Sequence, residues 1–227
     1  MFEIGERPPR IPGIDEALAA LRKVGTATLG HLTDFGFAPG LVPFKRPAKV
    51  VGLAYTIHIP RVDSSAVHYA LTQVQPGEVM VVDTTGETMR SPWGGGVTYA
   101  AQKAGAAGAV VDGMLTDWEE LMAYGLDVWA RGFTSLTTRG LGLEGALQVP
   151  VQIGGVVVKP GDVVFADSDG VFFLNPAHAA EIAARLAEIE GRWPETKKRL
   201  DAGEKLGNIN GAVQKLDALR DPARPKP

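Results

Sequence analysis

The chain has no cysteine among its 227 residues, which excludes disulfides, thiolate nucleophiles and cysteine-held metals. Histidine is scarce as well. His31, His58, His68 and His178 are scattered and form no HxH or HExxH spacing, so a zinc site built on histidine is not expected. No apolar run approaches the roughly 18 residues of a membrane-spanning helix, and the N-terminus has no signal-peptide pattern. The expectation is a cytoplasmic protein without a membrane partner. Neither sign of charge dominates. A net charge of −3 offers no general attraction to nucleic acid or anionic lipid. Asparagine occurs three times, which together with the missing cysteine and abundant Ala, Arg and Pro is a thermophile-like composition.

What is present is ordinary soluble protein: 45% apolar and 22% charged residues, enough chain for one sizeable core. The chain is organised around Trp93–Glu120, WGGGVTYAAQKAGAAGAVVDGMLTDWEE. Gly94, Gly95 and Gly96 precede an apolar, Ala-rich helix predicted over 98–107. Free N–H groups and the helix dipole there make a plausible anion site. Ala109-Val110-Val111 reads as a buried strand ending at Asp112-Gly113. Thr116-Asp117 then opens a helix over 118–124, with Gly125 as its C-cap. Backbone N–H groups and Asp117 thus fall at the ends of adjacent elements, where α/β proteins collect ligands. GGG is not GxGxxG and no GKS or GKT follows, so nucleotide binding is weakly supported. An Asp at a helix start is by itself more often a cap than a ligand.

Around this stretch, 1–13 reads as an arm. Helices are predicted at 14–24, 26–35 and 66–74, and strands at 49–60 and 79–82, the second ending in Asp83. Another strand is predicted at 127–130, before a Thr- and Gly-rich loop over 133–147 that carries Arg139. Short strands at 151–153, 156–158, 163–166 and 171–174 follow. An amphipathic helix spans 176–191, a charged helix 195–206, and 216–227 reads as a frayed tail. Pro76-Gly77-Glu78-Val79 with Asp83 parallels Pro160-Gly161-Asp162-Val163 with Asp167, a repeated turn feeding a strand that ends in an acid. The pattern predicts an α/β core with a mixed sheet in 1–175 and a helical extension in 176–227.

Pro160–Asp167, Asp169-Gly170-Val171, Ala109–Gly113 and Trp129-Ala130-Arg131-Gly132 together resemble the RraA-like family. That family holds 4-hydroxy-4-methyl-2-oxoglutarate aldolases, some oxaloacetate decarboxylases and regulators of ribonuclease E. The similarity runs from about Thr26 to Leu174, and the length is more like the aldolase branch. The resemblance implies an α/β/α sandwich with a swivelling-domain-like core, assembled as homotrimers or homohexamers with sites between subunits. Family aldolases carry a glycine, twenty residues, then Arg-Asp with an acid shortly after. Here Gly95 is followed by twenty residues, then Thr116-Asp117, with Glu120 as the later acid. The resemblance implies that Gly94, Gly95, Gly96 and Val97 bind the substrate carboxylate through their N–H groups. It makes Asp117, helped by Glu120 through water, the holder of Mg²⁺ or Mn²⁺.

Position 116 departs from the family. Threonine is short and neutral and cannot take over an arginine's binding of the pyruvate oxygens. Arg90, Arg131 and Arg139 are the nearest cations in sequence. Thr116 and Asp117 are the candidate catalytic residues of a metal-dependent lyase on 2-oxo acids. A lyase or dehydratase on a sugar acid, and a non-catalytic regulator binding a ribonuclease, are the alternatives. His31 with Asp34 is a weaker candidate pair.

Overall fold

The computed structural model describes residues 1–220. From the N-terminus the elements are β1 (Phe2–Ile4), α1 (Ile14–Leu21), α2 (Thr26–Leu29), β2 (Val42–Pro43), β3 (Lys49–His58), α3 (Ser65–Ala70) and β4 (Glu78–Asp83). Then come α4 (Gly95–Lys103), β5 (Gly108–Asp112), β6 (Met114–Leu115), α5 (Trp118–Tyr124), β7 (Val128–Ala130), β8 (Gly132–Phe133) and β9 (Gly145–Leu147). The C-terminal part holds β10 (Val151–Ile153), β11 (Val156–Val158), β12 (Val163–Asp167) and β13 (Val171–Leu174). After a 3₁₀ turn at Pro176–His178 it closes with α6 (Ala179–Gly191), α7 (Trp193–Asp201), α8 (Leu206–Ile209) and α9 (Ala212–Asp217).

β3 is the axis of a mixed sheet. β4 runs parallel to it, β5 parallel to β4, and β7 parallel to β5. The other edge of β3 is shared by two antiparallel partners, β12 along Lys49–Leu53 and β9 at Ile57–His58. All six residues of β4 are buried, as a parallel strand covered on both faces requires. Met80 and Val82 join Val67 of α3, Ala101 of α4 and Leu121 of α5 in one core. Val79 and Val81 join Trp129, Ile153 and Val158 in a second core, under the β10–β11 hairpin. α1 and α6 close a third, built on Leu18, Leu21, Phe165 and Leu186. The fold is therefore the expected α/β one, with a mixed sheet and C-terminal helices. Because β3, β4 and β5 are parallel and in register at His58, Asp83 and Asp112, their carboxyl ends face one way. The loops that leave β4 and β5 on that side build the site described below.

Several boundaries differ from the sequence reading. The N-terminal arm contains a strand, because β1 pairs in parallel with β9. The helix predicted over 26–35 stops at Leu29, so His31 and Asp34 share no helix. The helix predicted over 98–107 starts at Gly95 and stops at Lys103, with the left-handed Gly105 just beyond it. β8 and β9 lie at the two ends of the predicted 133–147 loop. The charged helix divides into α7 and α8 around Gly203, another left-handed glycine. α9 occupies the start of the predicted frayed tail, and residues 221–227 of that tail lie outside the described residues. α6 buries Ala179, Ala183 and Leu186, whereas α7, α8 and α9 bury nothing and expose Trp193, Leu206 and Val213.

The repeated turn is real and structural. Gly77 and Gly161 both have left-handed φ, and each strand that follows ends in an Asp that accepts the N–H two residues on. Asp83 also accepts from Gln152 N–H and faces His58 Nδ1, while Asp167 holds the N–H and hydroxyl of Thr26. Both acids serve as caps.

Candidate active-site cleft

A turn and two helix starts make one wall of the site. Trp93 is fully buried, and its indole N–H donates to Thr98 Oγ1 at 2.9 Å while Thr98 in turn donates to the Gly94 carbonyl. The Trp93 carbonyl accepts from Ser91 Oγ and from Thr116 N–H, which ties the turn before α4 to the strand before α5. Asp117 then sits with φ 58° and ψ 51°, in the left-handed region that non-glycine residues rarely occupy and Asp tolerates better than most. That conformation turns its carboxylate back toward the glycines. Oδ2 accepts the Gly95 N–H at 2.9 Å, and Oδ1 accepts the Thr116 hydroxyl at 3.3 Å.

The glycines are there for space. A Cβ on Gly94 would overlap Asp117 Oδ2 and Thr116 Cγ2, and one on Gly95 would overlap the Glu120 carboxylate. Both acids thus lie against the same turn. Gly95 N–H is taken up by Asp117, so it does not serve as a free anion donor alongside its neighbours. Gly96 and Val97 N–H groups at the start of α4 have no acceptor among the described residues and line an open cleft of about 460 Å³. A Cβ on Gly96 would meet nothing within 4 Å. Gly96→Ala is therefore expected to raise the melting temperature slightly, since alanine is the better helix former by about 1 kcal/mol. The same methyl enters the cleft and should raise KM. Thermal unfolding and steady-state kinetics on one variant check both signs.

The opposite wall comes from α3 with its flanking residues and from residues 137–140, in the middle of a segment that runs over 136–143. Ser64, His68, Thr137, Thr138 and Arg139 line it, facing Gly94, Gly96, Val97, Thr116 and Asp117. This segment is pinned at both ends. Ser91 N–H donates to the Leu136 carbonyl and the Ser91 carbonyl accepts from Thr138 N–H, both at 2.9 Å. Farther along, Arg139 N–H donates to the Val62 carbonyl and Ser64 N–H to the Arg139 carbonyl. Beneath them Asp63, fully buried, accepts from Ser65 N–H and hydroxyl, Leu141 N–H (3.0 Å) and Leu143 N–H (2.6 Å). Burial opposes ionisation of Asp63, but these donors outweigh it and hold the carboxyl well below the usual carboxylate range.

The structure separates the three candidate cations. Arg131 Nε is bound to Asp112, whose other oxygen accepts Gly154 N–H. Arg90 lies 3.8 Å from Glu87. Arg139 is in the cleft, and its guanidinium has no hydrogen-bond or ion-pair partner among the described residues. Asp63 and the cleft positions of His68 and Ser64 were not singled out by the sequence. The Asp63-Ser64-Ser65 turn before α3 was the available signal, and it carries no hint of the loop nearly eighty residues away.

No group of three or more His, Asp or Glu side chains is placed to hold a metal among the described residues. What the turn offers is two exposed carboxylates, Asp117 and Glu120. One of them is held in an unusual backbone conformation against glycines that leave no room for a side chain. Hard oxygen donors few in number suit Mg²⁺ or Mn²⁺, which keep several waters, and fit poorly to zinc.

Residues 25–173 match the family described as RraA-like, Aldolase/RraA. A protein of Halalkalibacterium halodurans named "Putative 4-hydroxy-4-methyl-2-oxoglutarate aldolase" is 36% identical over 157 residues, covering 69% of this chain and 74% of that one. Among solved structures, Streptomyces coelicolor RraAS2, described as an unusual member of the RNase ES inhibitor RraA protein family, is 30% identical. It superposes with a TM-score of 0.71 over 86% of this chain and 98% of its own. An uncharacterised protein of Pseudomonas syringae pv. tomato, 25% identical, gives a TM-score of 0.77 over 92% of this chain and 97% of its own. No helix among the described residues is long and apolar enough to cross a membrane.

Proposed function

The chain belongs to the RraA-like family, and from that membership and the cleft we propose that it is a divalent-metal-dependent carbon–carbon lyase on a 2-oxo acid. The reaction is of the 4-hydroxy-4-methyl-2-oxoglutarate aldolase or oxaloacetate decarboxylase type. The observation that carries this reading is the left-handed Asp117. Its carboxylate is aimed at the start of α4, beside the free N–H groups of Gly96 and Val97.

Cleaving the C3–C4 bond of a 2-oxo acid, one bond beyond its carbonyl, releases C4 as CO2 or, in the aldol case, as a ketone whose former hydroxyl has given up its proton. The electron pair stays on C3, delocalised onto the C2 carbonyl oxygen as the enolate of pyruvate. A divalent cation bound by Asp117, with Glu120 reaching it through water, would draw that charge off. Gly96 and Val97 N–H groups hold the substrate carboxylate at the positive end of α4. C3 must then take up a proton to give pyruvate. His68, on α3 in the same cleft, is the side chain of suitable chemistry to deliver it. Thr116 gives its hydroxyl to Asp117 and so helps orient the carboxylate.

The first test is pyruvate release from oxaloacetate with Mg²⁺ or Mn²⁺, repeated with EDTA. The expected result is release well above the uncatalysed rate that chelation abolishes and added metal restores. Release unaffected by EDTA would reject the metal-dependent reading. A second reading has its own observation. Ser64, Thr116, Thr137 and Thr138 surround the cleft with hydroxyls, which suits a polyol better than a short oxo acid. Turnover of an aldonate but not of oxaloacetate would select that lyase or dehydratase. No bound metal and no turnover of either would point to the regulator.

A further inference from the structure

The cleft has an unpaired cation and an elaborate device for placing it. Arg139 lines the cleft opposite Asp117, and its guanidinium bonds to no described residue, although Arg131 and Arg90 each have a carboxylate. Its backbone is nevertheless among the most firmly held of the segment. Both its N–H and its carbonyl are bonded to the 62–64 turn at 2.9 Å. Two residues on, and again four on, backbone N–H groups end on the buried Asp63 carboxylate. Gly142 N–H is caught by Ser65 Oγ at 2.9 Å. A loop fixed this closely over an otherwise exposed stretch holds an arginine whose exposed side chain has no partner among the described residues. Across the cleft, position 116 carries a neutral threonine whose hydroxyl is turned to Asp117.

We propose that Arg139 is the carboxylate-binding cation of this cleft, reaching the substrate from the wall opposite residue 116, and that Asp63 is the residue that positions it. The inference rests on the reading of the cleft as an acid-binding site and specifies how the acid is recognised. A guanidinium offers two parallel N–H donors to a carboxylate, a match a lysine ammonium cannot make. Coming from the opposite wall, Arg139 approaches the anion from a different side than the Gly96 and Val97 N–H groups do. The two can clamp one carboxylate between them. Substrates with a carboxylate are selected, and an uncharged carbonyl compound of the same size is rejected.

The test is calorimetric binding of pyruvate, and separately of gluconate, in the presence of Mg²⁺. It uses the full chain as wild type, Arg139→Gln, Arg139→Lys, Asp63→Asn, and Arg139→Gln combined in turn with Asp63→Asn and with Thr116→Arg. Mn²⁺ binding followed by electron paramagnetic resonance reports whether the Asp117 wall survives each change. Arg139→Gln should weaken pyruvate binding by about tenfold to a hundredfold, the scale of a lost charge-assisted hydrogen bond, with Mn²⁺ binding unchanged. Arg139→Lys should recover part of the loss, and Thr116→Arg in the Gln background should recover more, by restoring a cation from the other wall. Asp63→Asn should weaken pyruvate binding without adding to the loss in the double variant with Arg139→Gln, since both act through one group. Additive losses would remove Asp63 from the scheme.

Wild-type affinity retained in Arg139→Gln would overturn the inference while leaving the 2-oxo acid reading intact. Gluconate binding that is lost in Arg139→Gln, with no pyruvate binding in any variant, would keep Arg139 in its role and reject the 2-oxo acid. Binding of neither acid by the wild type would overturn both.

Discussion

Replacing Asp117 by asparagine is expected to lower metal-dependent pyruvate release by about three orders of magnitude, the scale of losing a preorganised electrostatic group, and to leave the fold as it was. Asparagine shares with aspartate the tolerance for the left-handed region, and its side-chain oxygen still accepts the Gly95 N–H. What is removed is the negative charge. Asp117→Ala removes the charge too, and also places a residue with no local hydrogen bonding at φ 58°, at a cost of about 1–2 kcal/mol. The two variants should therefore be equally inactive but differ in melting temperature by a few degrees. Steady-state rates with saturating Mn²⁺, Mn²⁺ binding and thermal unfolding together check this. An Asp117→Asn protein that keeps wild-type metal-dependent turnover would remove Asp117 from the chemistry.

The second large effect is on stability. Asp63→Ala should destabilise the protein by about 3 kcal/mol, because three backbone N–H groups and a hydroxyl lose one shared acceptor and each buried unsatisfied group costs about 1–3 kcal/mol. The lower end applies because Leu141 and Leu143 are exposed, so a released loop can turn its N–H groups to water. For a chain of this size the melting temperature falls by about 6–12 °C. The effect carries a pH signature. The folded-state pKa of Asp63 lies below its unfolded value, so in the window between them the unfolded chain binds more protons. Its contribution is complete above the ordinary carboxylate pKa and disappears as pH falls through the depressed folded value. The difference between wild type and Asp63→Ala, measured by chemical denaturation, should be flat from neutral pH down to about pH 4 and shrink below it. A difference that grows on acidification would contradict the role given to this carboxylate.

The sequence was most informative where structure is set locally. α5 occupies 118–124 and ends on a left-handed Gly125, as the Thr-Asp start and the glycine stop require. The turns at Pro76-Gly77 and Pro160-Gly161, and the strands 151–153, 156–158 and 171–174, fall where the punctuation places them. It was least informative where a partner is far away along the chain. β1 is three residues long and exists because β9 lies beside it. The start of α4 at two glycines runs against helix propensity and is held by Asp117 from another element. The glycine turn and Asp117 could be placed together from the order of elements, and the family resemblance added Thr116. Arg139 could be named as a nearby cation but not distinguished from Arg90 and Arg131, because the distinction lies in which of the three already has a carboxylate. Asp63 was invisible, since its role is defined by two N–H groups nearly eighty residues on.

The left-handed backbone at Asp117 has a consequence for descent. Aspartate codons are one base from asparagine and from glycine, and both of those residues sit comfortably at that φ and ψ. A lineage can thus lose the acidic charge in one mutational step while keeping a scaffold that folds and presents the same outer surfaces. Under the proposed lyase reading, selection on such a chain can act on its surface after its chemistry is gone, giving catalytic and purely binding descendants an unbroken path between them.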